Sequence, residues 1–206
     1  MGYPCALMRR LPDLVLASTS RYRRALLERL RIPFEVVAPC WSEVRLVEPD
    51  ATVLANALGK ARSVAQLRPA AAILASDQIA WCAGRTLEKP GTPEAARAQL
   101  EWLAGREHSL HTCVVLRMPD GRELQETVAA RLHIRALRPE EIDVYVASDL
   151  PLDCAGSYRT EALGIVLFDW MRCDDPTAIE GLPLIATRRL LEEAGWRLLE
   201  TGAAIE

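Results

Sequence analysis

The stretch Ala70-Ala71-Ala72-Ile73-Leu74-Ala75-Ser76-Asp77-Gln78-Ile79-Ala80-Trp81 constrains this chain more than any other. Apolar residues run almost unbroken on both sides of Ser76-Asp77-Gln78, and a run of that length without helix-period gaps fits a strand covered on both faces. An ionised carboxylate inside such a strand is costly unless something compensates it. Asp77 then either marks a turn where the strand ends and caps its own backbone, the commoner fate of an aspartate, or stands at a strand end facing a cleft, where α/β sheets bind ligands.

With 206 residues, half of them hydrophobic, the chain has enough apolar material for one large domain or two small lobes. A formal charge of −3 argues against a binder of nucleic acid polymers, so any phosphate site must be a local basic cluster. Six cysteines (Cys5, Cys40, Cys82, Cys113, Cys154, Cys173) form no C-x-x-C pair, and there are three histidines. Those spacings speak against structural zinc, a chain of this size needs no disulfide framework, and the thiols read as small buried or half-buried side chains. Met1 to Arg10 is not followed by a long apolar core, and no window approaches a membrane span. The expectation is a cytoplasmic protein without a membrane partner.

Of 25 basic residues 23 are arginine, and only Lys60 and Lys89 are lysine. A chain that prefers arginine so strongly keeps lysine where a compact ammonium serves better than a planar fork, as against a single phosphate oxygen, although either lysine alone is equally well a chance survivor.

In chain order, Leu14 to Ala17 reads as a first strand and Arg21 to Leu30 as a helix capped by Ser20. Arg21, Arg23 and Arg24 are expected at the helix start, where they oppose the dipole and favour a bound anion. Phe34 to Ala38 reads as a strand ending at Pro39, with Glu43 in the polar loop beyond it. Ala51 to Leu67 reads as an amphipathic helix with Lys60 beside its apolar stripe. Ala83-Gly84-Arg85 suits a tight hairpin turn, and Pro90 leaves Lys89 on an extended loop. A helix follows from Thr92-Pro93 to about Ala104, then strands His111 to Met118 and Glu123 to Arg135 joined at Pro119-Asp120-Gly121. Pro139 to Ala147 is expected as a helix, Gly164 to Trp170 as a strand, and Pro183 to Ala194 as a last helix. Together these elements predict an α/β fold, a mixed twisted sheet with flanking helices and two lobes around a central cleft.

Seven ordered motifs carry a family resemblance: Ala17-Ser18-Thr19-Ser20-x-x-Arg23, Glu43, Lys60-Ala61, Ser76-Asp77-Gln78, Lys89-Pro90, Cys154-Ala155-Gly156-Ser157-Tyr158 and Gly181-Leu182-Pro183-Leu184. In order and spacing the chain resembles the Maf family of nucleotide pyrophosphatases from about Leu14 to Trp196, as a single domain akin to the inosine-triphosphatase fold. The resemblance implies hydrolysis of a nucleoside triphosphate between its α and β phosphates, with Asp77 as the proton acceptor for water. It implies that Lys60, Lys89, Arg23 and Ser18 hold the phosphates. It further implies that Glu43 and Asp77 take a divalent metal, Mg2+ first and Mn2+ or Co2+ as alternatives. A homodimer is also implied.

Tyr22, Gln78 and Glu161 resemble the branch that acts on 7-methyl-GTP. N7-methylation makes guanine cationic, so a tyrosine ring can stack on it and a carboxylate can accept from N1–H and N2–H. Taken without the family, Tyr22 is partial core packing and Glu161 a solvated loop charge. Alternatives of the same fold and of another class are a dTTP or UTP pyrophosphatase, which an arginine at position 22 would favour, and a non-catalytic nucleotide-binding regulator of septum formation. Ala75, Gly59 and Glu88 depart from the family pattern; glycine is usual at 75 and common at 88, and Gly59 weakens a helix.

Overall fold

The computed structural model describes residues 11–199, so Met1 to Arg10, including Cys5, and the tail from Glu200 lie outside the described residues. Its axis is β3 (Ala72–Cys82), a strand twice the usual length, which the apolar stretch around Asp77 builds. On one side β3 pairs with β5 (Glu107–Arg117) antiparallel from Ile73 to Trp81. On the other side it pairs in parallel with β1 (Leu14–Ala17) at one end and antiparallel with β4 (Arg85–Leu87) at the other. β2 (Glu35–Val37), β6 (Glu123–Ile134) and β7 (Phe168–Arg172) complete a mixed seven-stranded sheet of order β2-β1-β3-β5-β6-β7, with β4 off that path.

Because β3, β5 and β6 are long, they run through two packing environments. Toward the β1 end the sheet is covered on both faces. Helices α1 (Arg21–Glu28) and α5 (Leu184–Glu193) lie over Leu14, Leu16, Leu74 and Leu116. Helix α2 (Pro49–Leu67) lies over Val15, Ile73 and Val115. Odd and even residues of β3 thus serve different cores, as the pleat requires. Beyond, Ala80, Leu110 and Leu132 belong to a further core with α3 (Pro93–Leu103) and α4 (Pro139–Asp149). These are the two lobes expected from the sequence, and the cleft lies where one core gives way to the other.

Local chemistry fixes the loops that reach this cleft. Ser20 caps α1 by accepting the Arg23 N–H at 3.3 Å. Ala83 and Gly84 both adopt positive φ (50° and 80°), the two-residue hairpin geometry expected at that turn. Buried Asp175 accepts from the Ile185 and Ala186 N–H groups at 2.7 and 3.1 Å and so ties the turn Pro176–Glu180 to the start of α5.

Several boundaries differ from expectation. Helix α1 stops at Glu28, α2 begins at Pro49, and β5 starts four residues earlier than His111. The strand expected over Gly164 to Trp170 is a larger correction: Leu163–Leu167 is a 3-10 turn and only Phe168–Arg172 is strand. Gly164 explains it. A Cβ there would lie 2.4 Å from the Arg159 carbonyl oxygen, and the Gly164 N–H donates to Asp149 Oδ2 at 3.2 Å, so backbone packing overrides the β-propensity of Ile165 and Val166. Cys40 is exposed, unlike the buried or half-buried thiols expected, and the five described cysteines are all free.

Gly164→Ala is expected to cost about 1–3 kcal/mol, because backbone must move against backbone to admit the methyl group. Urea unfolding of the variant beside wild type measures it, and an unchanged midpoint contradicts the close approach.

Candidate active site

Pairing of β3 with β1 ends at Leu74 and pairing with β4 begins only at Ala80, so among the described residues no strand runs along that edge from Ala75 to Ile79. Asp77 sits at the centre of the bare edge. It is neither a turn residue nor at a strand end, since β3 continues to Cys82. Its carboxylate, 3% exposed as a residue, turns to the α2 face. There Asp77 Oδ1 accepts from Lys60 Nζ at 2.6 Å and Oδ2 accepts from Asn56 Nδ2 at 3.0 Å. Lys60 Nζ also donates to Glu43 Oε1 at 2.7 Å. Burial alone would push the Glu43 carboxyl up, but the Lys60 hydrogen bond and charge, with Arg45 and Lys89, outweigh it and hold Glu43 below the usual carboxylate range.

Three neighbouring hollows, all lined in part by Arg23 and Lys89, surround these groups. The largest, about 610 Å³, is walled by Ser18, Arg21, Tyr22, Arg23, Trp41, Glu43, Lys60 and Lys89. A second of about 230 Å³ brings Asp77, Lys60 and Lys89 together with Arg23, Glu43 and Arg45. Asp77 and the two lysines therefore meet around one space. Among the described residues Lys89 enters no ion pair within 4 Å, and its charge acts on Glu43. Arg23 faces the cleft and donates Nε to the Gly181 carbonyl at 2.9 Å; desolvation draws its guanidinium below its ordinary pKa while Asp77 and Glu43 pull it back up. Ser18 Oγ accepts the Ser20 N–H at 3.1 Å. Arg24 does not join the cluster: it is exposed and pairs along the helix with Glu28 at 3.0 Å.

The third recess, about 130 Å³, is bounded by Tyr22, Gln78, Asp153, Tyr158, Glu161 and Gly181. Tyr22 is half-buried at its mouth, with the Arg21 and Arg159 guanidinium carbons 4.8 and 5.8 Å from its ring centre. Glu161 meets Arg159 only at 3.5 Å. Gln78 spends its amide N–H groups on Thr112 Oγ1 (3.0 Å) and the carbonyls of Ala178 (2.6 Å) and Ile179 (3.2 Å), so it secures the wall of the recess. Gly156, at φ 80°, is required here, because a Cβ would lie 2.6 Å from the Tyr158 ring.

Four residues at the site carried no expectation. Asn56 lies four positions before Lys60 and so on the same helix face, a spacing visible in the sequence. Trp41 packs on Gly59, where a Cβ would sit 2.2 Å from the indole, which accounts for the glycine inside α2. Arg45 grips Glu88 with two hydrogen bonds of 3.1 Å across the cleft mouth, so Glu88 is neutralised beside Lys89. Ser76 Oγ donates to the Gly181 carbonyl at 2.9 Å, the same oxygen that Arg23 uses. No side-chain position marks that last convergence in a linear sequence.

Residues 13–194 match the family described as Maf-like protein. The chain belongs to the Maf-like family. A relative from Xanthomonas campestris named 7-methyl-GTP pyrophosphatase is 47% identical over 190 residues, 91% of this chain and 99% of that one. A relative of the same name from Burkholderia thailandensis is 45% identical over 200 residues, covering 94% and 93%. Among solved structures, a nucleoside-triphosphatase / dITP/XTP pyrophosphatase from Mycobacterium abscessus aligns with 64% of this chain and 92% of its own at 21% identity and a TM-score of 0.40.

The residues present fit a divalent cation of the kind Maf-like resemblance implies. Glu43 and Asp77 offer hard carboxylate oxygens around one ammonium, while among the described residues no group of three His, Cys, Asp or Glu side chains could hold a metal. Two protein carboxylates suit a divalent ion that completes its shell from water and other oxygen ligands.

Behind the third recess, His108 Nε2 lies 2.8 Å from the Tyr158 hydroxyl, and burial pushes its imidazole down to about 4 from the ordinary 6.5. The native state resists a proton that the unfolded chain accepts, so this contribution to stability is complete above about pH 6.5 and lost as pH falls toward 4. Wild type is expected to lose on the order of 2–3 kcal/mol from this group between pH 7 and 4.5. His108→Gln removes that part of the slope; parallel slopes in urea unfolding of the two proteins at both pH values contradict it.

Proposed function

We propose that this Maf-like chain hydrolyses 7-methyl-GTP between the α and β phosphates, releasing 7-methyl-GMP and diphosphate, as a cytoplasmic enzyme that clears modified nucleotides. The observation that carries the proposal is the meeting of Asp77, Lys60 and Lys89 around one hollow that shares Arg23, Gln78 and Lys89 with the recess of Tyr22 and Glu161. The names of the two relatives support the choice of base.

Asp77 is the proposed proton acceptor. Water oxygen forms a new bond to phosphorus at the α–β bridge, the bridging P–O bond breaks, diphosphate leaves, and the water proton passes to the Asp77 carboxylate. Lys60, Lys89 and Arg23 counter the charge that collects on the phosphate oxygens, with the Ser18 hydroxyl and the N–H groups at the start of α1 as further donors. Glu43 and Asp77 would hold the divalent cation, Mg2+ with Mn2+ or Co2+ as alternatives, which when bound supplies additional charge neutralisation. A regulator that only bound nucleotide would have no use for a buried acid beside the phosphate hollow.

The base assignment rests on chemistry at the third recess. The Tyr22 ring already attracts two guanidinium groups, planar cations like the methylated purine. Glu161, weakly engaged by Arg159, keeps acceptor capacity for guanine N1–H and N2–H. Gln78 acts through the turn it secures. A dTTP or UTP pyrophosphatase has no need of a ring that stacks on a cation.

Diphosphate release with Mg2+ is expected to be faster from 7-methyl-GTP than from GTP, dTTP or UTP, and equal rates across that panel refute the specificity. Tyr22→Arg should reduce the preference for the methylated base. Asp77→Asn is expected to abolish turnover and keep nucleotide binding, as followed by calorimetry with a non-hydrolysable analogue; surviving turnover means that another group takes the proton.

A further inference from the structure

Asn56 is a buried polar side chain in direct contact with Asp77, and the mechanism assigns it no task. It is 0% exposed on α2, and its amide is satisfied on every side. Oδ1 accepts from Val44 N–H at 2.9 Å and from Trp41 Nε1 at 3.2 Å. Nδ2 donates to the Val44 carbonyl at 3.2 Å and to Asp77 Oδ2 at 3.0 Å. Only one orientation of the amide meets two N–H donors with its oxygen and two acceptors with its nitrogen, so the side chain is locked.

The four bonds lead to both acids of the site. Three of them hold residues Trp41 and Val44, which flank Glu43, and the fourth holds Asp77 itself. Gly59 belongs to the same device, because its missing Cβ lets the Trp41 indole lie on α2 and reach Asn56. On α2 Asn56 lies between buried Thr52 and Lys60, one turn away on either side, with Val53, Ala57 and Ala61 in the adjoining core. A leucine would fill that volume without the desolvation cost of an amide, so packing alone does not account for asparagine.

We propose that Asn56 is a positioning residue for the hydrolysis assigned above: it fixes the plane of the Asp77 carboxylate and the loop that presents Glu43, so that both acids face one space. Oδ2 of Asp77 is tied to Asn56 and Oδ1 to Lys60, which leaves their remaining lone pairs aimed in set directions. Loss of Asn56 lets Asp77 rotate about its side-chain torsions and frees the loop from Trp41 to Val44. Substrate binding, which rests on Lys60, Lys89, Arg23 and the start of α1, is largely retained.

Asn56→Leu and Asn56→Ser test this, each scored against wild type on the triphosphate that wild type hydrolyses fastest. The expected result is a kcat lower by about 10–100-fold, the usual cost of losing a group that orients a reacting one. Affinity for a non-hydrolysable α,β-methylene analogue, measured by calorimetry, is expected to stay within about threefold of wild type in the same terms. Thermal unfolding reports whether each variant is folded, and if the leucine does not fold the serine, which fits the same space, decides. A folded variant that keeps kcat within about threefold, or that loses affinity with kcat intact, overturns the proposal. A wild type that prefers another triphosphate refutes the base assignment instead and leaves this comparison intact.

Discussion

A single ammonium shared by two carboxylates holds the cleft together. Lys60 is 8% exposed and Asp77 3%, and a charge taken that far from water is tolerable only with a partner at hydrogen-bond distance. Lys60 has two, Asp77 at 2.6 Å and Glu43 at 2.7 Å, and they come from separate parts of the fold. One is in the middle of the longest apolar strand and the other is in the loop after β2. The pair thus fixes where α2 sits on the sheet, since sliding the helix by one turn would leave two buried charges alone. Removing one member of such a pair typically costs about 3–5 kcal/mol, which makes the arrangement a structural commitment as well as a chemical one.

That commitment is possible because the sheet is deliberately incomplete at one place. β1 ends after Ala17 and its chain turns into Ser18-Thr19-Ser20 and the start of α1, while β4 begins its pairing only at Ala80. Between them the edge of β3 opens on the cleft, and α1 delivers N–H groups, Arg23 and Tyr22 to the same space. The pleat then sorts neighbours by parity. Asp77 points to α2, whereas Ser76 and Gln78 point to the turn at 178–181, where they hold the Gly181 and Ala178 carbonyls. Three consecutive residues thereby anchor both walls, and a one-residue slip in register would exchange them.

Much of this was legible in the sequence because it is local. The apolar run announced β3, the caps announced α1 and α3, and the scarcity of lysine singled out Lys60 and Lys89. What escaped was either rotational or long-range. Arg24 adjoins Arg23 in the sequence, yet a step of one residue on a helix turns a side chain by about 100°, enough to carry it from cleft to solvent beside Glu28. Asn56 reads as one polar residue among others in α2, although its i,i+4 relation to Lys60 places it on the face turned to Asp77. The segment from Leu163 to Leu167 reads as strand by composition. Its conformation is set by Arg159 and Asp149, which only the folded chain brings to Gly164.

The choice of lysine at position 60 follows from geometry and not merely from charge. A guanidinium would present its donors in one plane, suited to two oxygens of the same carboxylate, as Arg45 does with Glu88. Here the two acceptors belong to different residues reached from different directions, and the tetrahedral ammonium has three donors to divide between them. Two are taken by Asp77 and Glu43. The third is available toward the hollow, so the cation that makes the buried Asp77 tolerable and also pairs with the exposed Glu43 can, in the proposed reaction, meet a phosphate oxygen. Arg62 and Arg68 form surface forks with Glu123 and Glu35, each through two hydrogen bonds, whereas Lys60 is one compact charge that serves several directions at once.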